Sequence, residues 1–103
     1  MQKKTTANWQ VKFSPLALKD LKKLDNEANK VILAYLYEKL ETKEDPKRFG
    51  KPLSGNLKEF WRYRVGDYRI ICEIKNHEFQ VLAVHIAHRS KVYKNVHLLK
   101  SPA

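Results

Sequence analysis

The sequence predicts an α+β domain built from an N-terminal strand, a two-helix antiparallel hairpin, a three-stranded antiparallel meander and a short C-terminal helix. Residues 15–40 carry apolar side chains at helical spacing, and residues 60–87 carry apolar runs separated by polar turns. A three-stranded meander that takes the first strand at one edge leaves one face for the helix pair. The other face remains available for a ligand.

Composition limits the domain count and the kind of partner. The chain has 103 residues, which suits a single domain over residues 8–99, with a loose tail at 1–7 and a frayed end at 100–103. A hydrophobic content of 43% argues against a disordered chain. The net charge of +10 and the pI near 9.8 favour a polyanionic partner, with nucleic acid ahead of an anionic membrane.

Several classes of protein are disfavoured. The lone Cys72 cannot form an intramolecular disulfide, and its apolar strand predicts a buried thiol in a reducing cytoplasm. The basic N-terminus is not followed by an apolar run, so we expect no signal peptide. No apolar stretch of the sequence approaches the length of a membrane span. His85 and His88 have neither a cysteine pair nor a nearby carboxylate, so we expect no metal site and no cofactor.

The helices follow from caps and periodicity. Residues 9–13 alternate between apolar and polar side chains, which predicts a half-buried strand. Ser14-Pro15 then begins a helix of about three turns. Asp25 or Asn26 caps a second helix, which ends before Asp45-Pro46. Residues 47–57, rich in Gly and Pro, are predicted to be a loop. The second helix should bury an apolar stripe of Ala28, Val31, Ile32, Tyr35, Leu36 and Leu40.

The strands of the meander cover residues 60–65, 68–74 and 79–87. Gly66-Asp67 joins the first two, and residues 75–78 form the next turn. The third strand is nearly continuously apolar, which favours a central position covered on both faces. The terminal helix should start near His88 and run to about Leu99.

Arginines concentrate on the first hairpin. Side chains alternate in a strand, so Arg62 and Arg64 share one face, and Arg69 lies just across the turn. The opposite face carries mainly core side chains: Trp61, Tyr63 and Val65. Guanidinium groups bind phosphate through a planar fork of donors, so this face is predicted to bind phosphate. The basic residues of and beside the preceding loop, among them Lys47, Arg48, Lys51 and Lys58, extend the positive surface.

Cutting RNA through its own 2′-hydroxyl needs a base, a cationic group at the phosphate and an acid for the leaving 5′ oxygen. Arginine supplies the second function well and the others poorly, because its pKa lies above about 12. Tyr93 lies four residues after Arg89, which is helical spacing for one face. His88 has an ordinary pKa suited to proton transfer at neutral pH.

The chain resembles the RelE/ParE superfamily of bacterial toxin–antitoxin modules, and specifically its RelE branch. The resemblance spans residues 9–93 and rests on four motifs in family order: Pro52-Leu-Ser-Gly55, Trp61-Arg-Tyr-Arg64, Gly66-Asp-Tyr-Arg69 and His88-Arg-Ser-Lys-Val-Tyr93. It implies a microbial RNase fold and a metal-independent endoribonuclease. Such an enzyme enters the ribosomal A site and cuts mRNA there, which inhibits translation and leaves a 2′,3′-cyclic phosphate.

The resemblance also implies residue roles. Arg69 matches the arginine that stabilises the transition-state phosphate, and Tyr93 matches the tyrosine that orients the substrate or stacks on a base. Arg64 stands where the best known member has lysine, and Ala87 stands where it has an arginine. The predicted catalytic residues are Arg62, Arg64, Arg69, His88, Arg89 and Tyr93, and the predicted RNA-binding residues are Arg48, Lys51, Lys58 and Lys91.

The expected partners are the ribosome, mRNA and a cognate acidic, RelB-like antitoxin, through which the complex would bind operator DNA. An acidic, partly disordered segment would offset the positive face as it folds on binding. Two alternatives remain open at this stage. One is a ParE-like poison of DNA gyrase, and the other is a catalytically degenerate, RNA-binding toxin homologue.

Overall fold

Five strands form one sheet in the order β1-β5-β4-β3-β2 in the computed structural model, which describes residues 8–94 and 99. The strands are β1 (Gln10–Phe13), β2 (Lys51–Pro52), β3 (Phe60–Val65), β4 (Tyr68–Lys75) and β5 (Gln80–His88). β1 is parallel to β5, and the remaining neighbours are antiparallel. This confirms the α+β class, the meander and the position of the first strand at an edge.

Side-chain caps begin both helices where the sequence predicts them. α1 (Pro15–Lys23) starts at Ser14, whose hydroxyl accepts from the Ala17 amide at 3.1 Å. α2 (Asn26–Tyr35) starts at Asp25, whose carboxylate accepts from the Ala28 amide at 2.8 Å. The chain then continues through one π-helical turn, Leu36–Leu40. None of the helices in the described part of the chain is long and apolar enough to cross a membrane.

Apolar residues pack on both faces of the sheet. The larger cluster joins the helices to one face, and its fully buried members include Ile32, Leu36, Tyr63, Ile70 and Cys72. A smaller cluster of Phe60, Ile71 and Val92 lies on the other face, which we call the open face. The open face therefore has a small hydrophobic core of its own, around which polar side chains can lie.

α1 closes the edge of β5 beyond the point where β1 ends. β1 pairs with β5 only as far as Ala83. One oxygen of the Asp20 carboxylate then accepts from His85 Nδ1 at 2.8 Å and from the Ile86 amide at 2.9 Å. Asp20 and His85 are both buried. Their pairing satisfies a strand edge that would otherwise lie buried without partners.

The prediction that residues 47–57 form a loop is wrong in part. It contains two 3₁₀ turns, Pro46–Phe49 and Gly55–Leu57, and between them β2 pairs with β3 at Lys51↔Arg62 and Pro52↔Trp61. A two-residue strand leaves no periodicity that a sequence pattern can reveal. The extra strand matters because it attaches the basic segment to the arginine-bearing hairpin.

Three further predictions need correction. Val31, predicted to lie in the buried stripe, is 48% exposed. Phe79, predicted to start the third strand, adopts a left-handed conformation with φ of 50° and packs against Trp9 at 5.3 Å between ring centroids. His88 ends β5 rather than starting a helix, and a short 3₁₀ turn over residues 92–94 follows. The rest of the predicted terminal helix lies mostly outside the described residues.

Candidate functional site

The three hairpin arginines lie on the open face of β3 and β4. Arg62 and Arg64 alternate with the buried Tyr63 and Val65, as strand geometry requires. Arg64 pairs with Arg69 directly across the ladder. The hairpin thus presents three guanidinium groups on the side of the sheet away from the helices.

These arginines share a concavity of about 380 Å³ with the segment before β2, which we call the arginine cavity. Within the described residues, no carboxylate forms an ion pair with Arg62, Arg64, Arg69 or Lys51. The cavity therefore concentrates positive charge that the protein leaves largely uncompensated. It is lined by Arg48, Phe49, Gly50, Lys51, Arg62, Arg64 and Arg69.

Tyr63 fixes the segment that forms one wall of the arginine cavity. Its hydroxyl donates to the Pro46 carbonyl at 2.7 Å, and burial raises the pKa of this phenol well above its ordinary value of 10.0. A Cβ atom placed on Gly50 would lie 2.8 Å from the Tyr63 ring and 2.9 Å from the Arg62 carbonyl oxygen. Glycine at this position lets the basic segment approach β3 closely.

Phe49 supports the cations beside it. Lys39 Nζ lies 4.8 Å and Arg48 Cζ 5.9 Å from the centroid of its ring. Arg48 also pairs with Glu44, four residues earlier in the chain. Arg48 is thus partly neutralised, and the hairpin arginines and Lys51 supply most of the free charge.

Backbone carbonyls orient Arg69. Its Nη1 atom donates to the Gly66 carbonyl at 3.0 Å and to the Tyr68 carbonyl at 2.9 Å. Gly66 has a φ of 58°, which suits the tight turn between β3 and β4. The turn therefore uses one nitrogen of the guanidinium group, and the remaining donors stay available to an anion.

Tyr93 reaches the arginines from the far end of the chain. Arg62 Nη1 donates to the Tyr93 hydroxyl oxygen at 2.9 Å, while the preceding Val92 is fully buried in the open-face core. A second concavity of about 380 Å³, which we call the apolar cavity, lies beside this contact. It is lined by Pro52, Leu53, Ser54, Leu57, Arg62 and Tyr93.

Four of the predicted site residues lie elsewhere. His88 and Lys91 line a different cavity together with Asp20 and His85, and His88 Nδ1 bonds the Ser90 hydroxyl at 2.9 Å. The His88 ring also packs edge-on against Tyr68, which belongs to the helix-face core. The other two are Arg89, whose Nε lies 3.7 Å from Asp67, and Lys58, which is exposed after a 3₁₀ turn.

The structure thus brings together five predicted basic residues and Tyr93 at the two cavities. His88, Arg89, Lys58 and Lys91 line neither cavity, although Arg89 contacts Asp67 in the turn that also orients Arg69. The sequence interpretation missed Phe49, Gly50 and Ser54 as parts of the site. Phe49 and Gly50 had no periodic signal, because they lie in a turn. Ser54 was visible only as a letter of the motif Pro52-Leu-Ser-Gly55.

A small basic α+β domain with an arginine-lined cavity on its open sheet face is suited to bind a polyanion. The family model described as the ParE toxin of the type II toxin–antitoxin system parDE matches residues 11–93. The chain therefore belongs to this superfamily of RelE/ParE toxins of toxin–antitoxin systems, as the sequence motifs indicated.

Two individual relatives are toxins named RelE and RelG. Toxin RelE of Mycobacterium tuberculosis is 30% identical over 86 residues, which cover 84% of this chain and 87% of the relative. Toxin RelG of the same organism is 29% identical over 84 residues, or 82% of this chain and 94% of the relative.

Solved structures of RelE toxins have the same fold as this chain. The RelBE2 toxin–antitoxin complex of M. tuberculosis superimposes with a TM-score of 0.74 at 27% identity, covering 82% of this chain and 94% of that chain. A variant of Escherichia coli RelE with two arginines replaced by alanine, solved in the free state, superimposes with a TM-score of 0.67 at 18% identity. The match covers 91% of this chain and 99% of that chain, and it supports the fold alone.

Proposed function

We propose that this toxin is a metal-independent endoribonuclease that cuts mRNA in the ribosomal A site, with the 2′-hydroxyl of the RNA as nucleophile. The observation that carries the proposal is the arginine cavity, where Arg62, Arg64 and Arg69 converge with Lys51. A catalytically degenerate toxin would bind RNA through the same charge, so a measurement of cutting separates an enzyme from a binding protein.

The cavity suits the charge that develops during cleavage. The attacking 2′ oxygen makes the phosphate five-coordinate, and negative charge accumulates on its equatorial oxygens. Arg69, already oriented by two backbone carbonyls, can direct its remaining donors to those oxygens without further ordering. Arg62 and Arg64 add positive charge on the same face.

Tyr93 is the strongest candidate for moving a proton. Its hydroxyl oxygen accepts from Arg62, so the phenolic proton is free to be donated to the leaving 5′ oxygen. His88 and Arg89 were predicted to share this work. The contact with Tyr68 on the helix face favours a role for His88 outside the phosphate site. Arg89 contacts Asp67 in the turn that also orients Arg69, so it can still add positive charge beside the site.

An acidic antitoxin would complement this surface. Several of the structural neighbours are complexes of RelE with RelB, among them the archaeal pair from Pyrococcus horikoshii. A net charge of +10 and an arginine cavity left largely uncompensated favour the same kind of partner here. Co-expression with a short acidic protein encoded beside the toxin should restore growth, and failure of every such neighbour to do so would argue against a cognate antitoxin.

The activity is tested by mapping mRNA 5′ ends by primer extension after tightly controlled expression. Codon-phased cuts are expected from the unmutated toxin and should be lost in Arg69→Ala. Lys22→Ala, which removes an exposed charge from α1, is the matched control and should cut normally. Cuts that persist in Arg69→Ala would overturn the site assignment, and no cuts from the unmutated toxin would overturn the function.

The matched family model carries the ParE name, so a DNA gyrase target is a second candidate. A supercoiling assay with purified toxin separates the two. Gyrase inhibition at low protein concentration, together with intact mRNA, would reverse the ranking. The relative named Toxin RelE favours the ribonuclease.

A further inference from the structure

We propose that the apolar cavity is a nucleobase pocket, in which the Ser54 hydroxyl selects one base of the RNA beside the phosphate held in the arginine cavity. The proposal rests on the proposed function, because it supplies a specificity site to the same reaction. The new element is Ser54, which precedes the arginine hairpin in the chain.

The composition of the apolar cavity fits a base better than a phosphate. Pro52, Leu53 and Leu57 supply apolar walls, and Tyr93, a residue that is 45% exposed, contributes an aromatic ring. Bases stack on aromatic and apolar surfaces, and this binding tolerates any base because each has a π face. These walls alone would therefore hold a base without distinguishing it from the other three.

Arg62 connects the two cavities. It lines both of them, and its Nη1 atom holds the Tyr93 hydroxyl at 2.9 Å. A nucleotide likewise joins an anionic phosphate to a flat, largely apolar ring. A phosphate in the arginine cavity would place its own or the neighbouring base within reach of the apolar cavity.

Ser54 provides the polar group that can distinguish bases. It occupies the N-cap of the 3₁₀ turn Gly55–Leu57, yet its side chain makes no capping bond. Ser14, at the N-cap of α1, uses its hydroxyl to bind the Ala17 amide. No hydrogen bond of the Ser54 hydroxyl is found among the described residues, and the side chain is exposed. A hydroxyl can donate to or accept from the edge of a base.

The test compares cut sites rather than total cutting. Ribosome-dependent cut sites of the unmutated toxin and of Ser54→Ala are mapped, and the frequency of each base beside the cut is counted. We expect the unmutated toxin to prefer one base. Ser54→Ala should reduce that preference about three- to tenfold, the effect of one neutral hydrogen bond. Ser54→Thr, which keeps the hydroxyl, should retain it.

Asn56→Ala is the matched control, since Asn56 is exposed in the same turn but does not line the cavity. It should leave the base preference unchanged. A toxin that cuts with the same preference before and after Ser54→Ala would overturn the pocket while leaving the proposed function intact. So would a Ser54→Ala variant that loses only neutralisation by the antitoxin, since the cavity would then belong to a protein interface. A complete absence of cuts would overturn both proposals.

Discussion

Arg64 and Arg69 lie directly opposite each other across the β3–β4 ladder. Like charges in this arrangement oppose folding, by roughly 0.2–1 kcal/mol for a cross-strand pair. Within the described residues no carboxylate pairs with either of them. Such a pair is expected where a bound anion, rather than the fold, supplies the compensating charge.

Replacing Arg64 with Gln should therefore raise the free energy of unfolding, by about 0.5 kcal/mol at low ionic strength. Urea unfolding at low and at high salt measures this, and the gain should shrink as salt screens the repulsion. Phosphate should stabilise the unmutated protein more than it stabilises the variant at matched ionic strength. A loss of stability on substitution would show that Arg64 has a favourable partner.

Gly50→Ala tests the close approach of the basic segment to β3. The added methyl would meet the Tyr63 ring and the Arg62 carbonyl at less than 3.0 Å, so the segment must shift. We expect a loss of about 1–3 kcal/mol of stability, as for other overpacked sites, together with weaker binding of RNA.

Gly55→Ala is the comparison for this substitution. No atom lies within 4 Å of its Cβ position, but its φ is 65°. The cost should be backbone strain of about 1 kcal/mol, since left-handed angles disfavour a Cβ atom. Thermal unfolding and oligonucleotide binding are measured for both variants. If Gly55→Ala weakened binding more than Gly50→Ala, the role assigned to Gly50 in the approach of the basic segment to β3 would be contradicted.

The sequence was sufficient for the elements that have a repeating pattern or a cap. Ser14 and Asp25 mark the helix starts, and alternation along β3 separates Arg62 and Arg64 from Tyr63. The gathering of Arg62, Arg64 and Arg69 on one face follows from strand geometry alone. These features are local, so the residue order determines them.

The missed features depend on contacts between distant segments. β2 exists because Lys51 pairs with Arg62, and two residues carry no pattern of their own. Helical spacing grouped Arg89 with Tyr93, and His88 joined them for its ordinary pKa, but β5 extends to His88 and directs its ring to Tyr68 on the helix face. Which face a strand's last residue occupies depends on register and on the irregularity opposite Ile71 and Cys72.

Asp20 should be essential for stability rather than for cutting. Asp20→Ala removes the acceptor of both the His85 ring and the Ile86 amide, which are buried. Each donor left without a partner costs about 1–3 kcal/mol, so we expect a loss of about 2–6 kcal/mol for the two. A double-mutant cycle with His85→Ala, measured by urea unfolding, should give a clear coupling energy. Additive effects would contradict the pairing.

Cys72 should be unreactive in the folded protein, because burial raises the pKa of its thiol. Iodoacetamide should modify it only after denaturation. The unfolded thiol ionises near 9.0, while the folded thiol keeps its proton to higher pH. The folded state then binds more protons than the unfolded state, so stability falls as the pH rises above that value.

Cys72→Ala isolates this contribution. The difference in unfolding free energy between the unmutated protein and the variant should be constant at neutral pH. It should then decline by up to about 1.4 kcal/mol per pH unit above about pH 9. Burial, and after it the charge of Cys72, raises the pKa values of Tyr35 and Tyr63. The comparison is therefore made below pH 10.0, the ordinary pKa of tyrosine, where both tyrosines remain mostly protonated. A difference that stays flat to about pH 10 would contradict a buried, protonated thiol.

RNA binding should depend steeply on salt. With about five phosphates of a single strand contacted by the protein, among them the one in the arginine cavity, the slope of log affinity against log salt should be near −3.5. Arg64→Gln should bring it closer to zero by about 0.7, whereas Lys22→Gln should leave it unchanged. Ser54→Ala should also leave the slope unchanged, because the apolar cavity contacts a base rather than a phosphate. Anisotropy titrations of a labelled oligonucleotide measure all four slopes. If Ser54→Ala and Arg64→Gln shifted the slope equally, the two cavities could not be divided between base and phosphate.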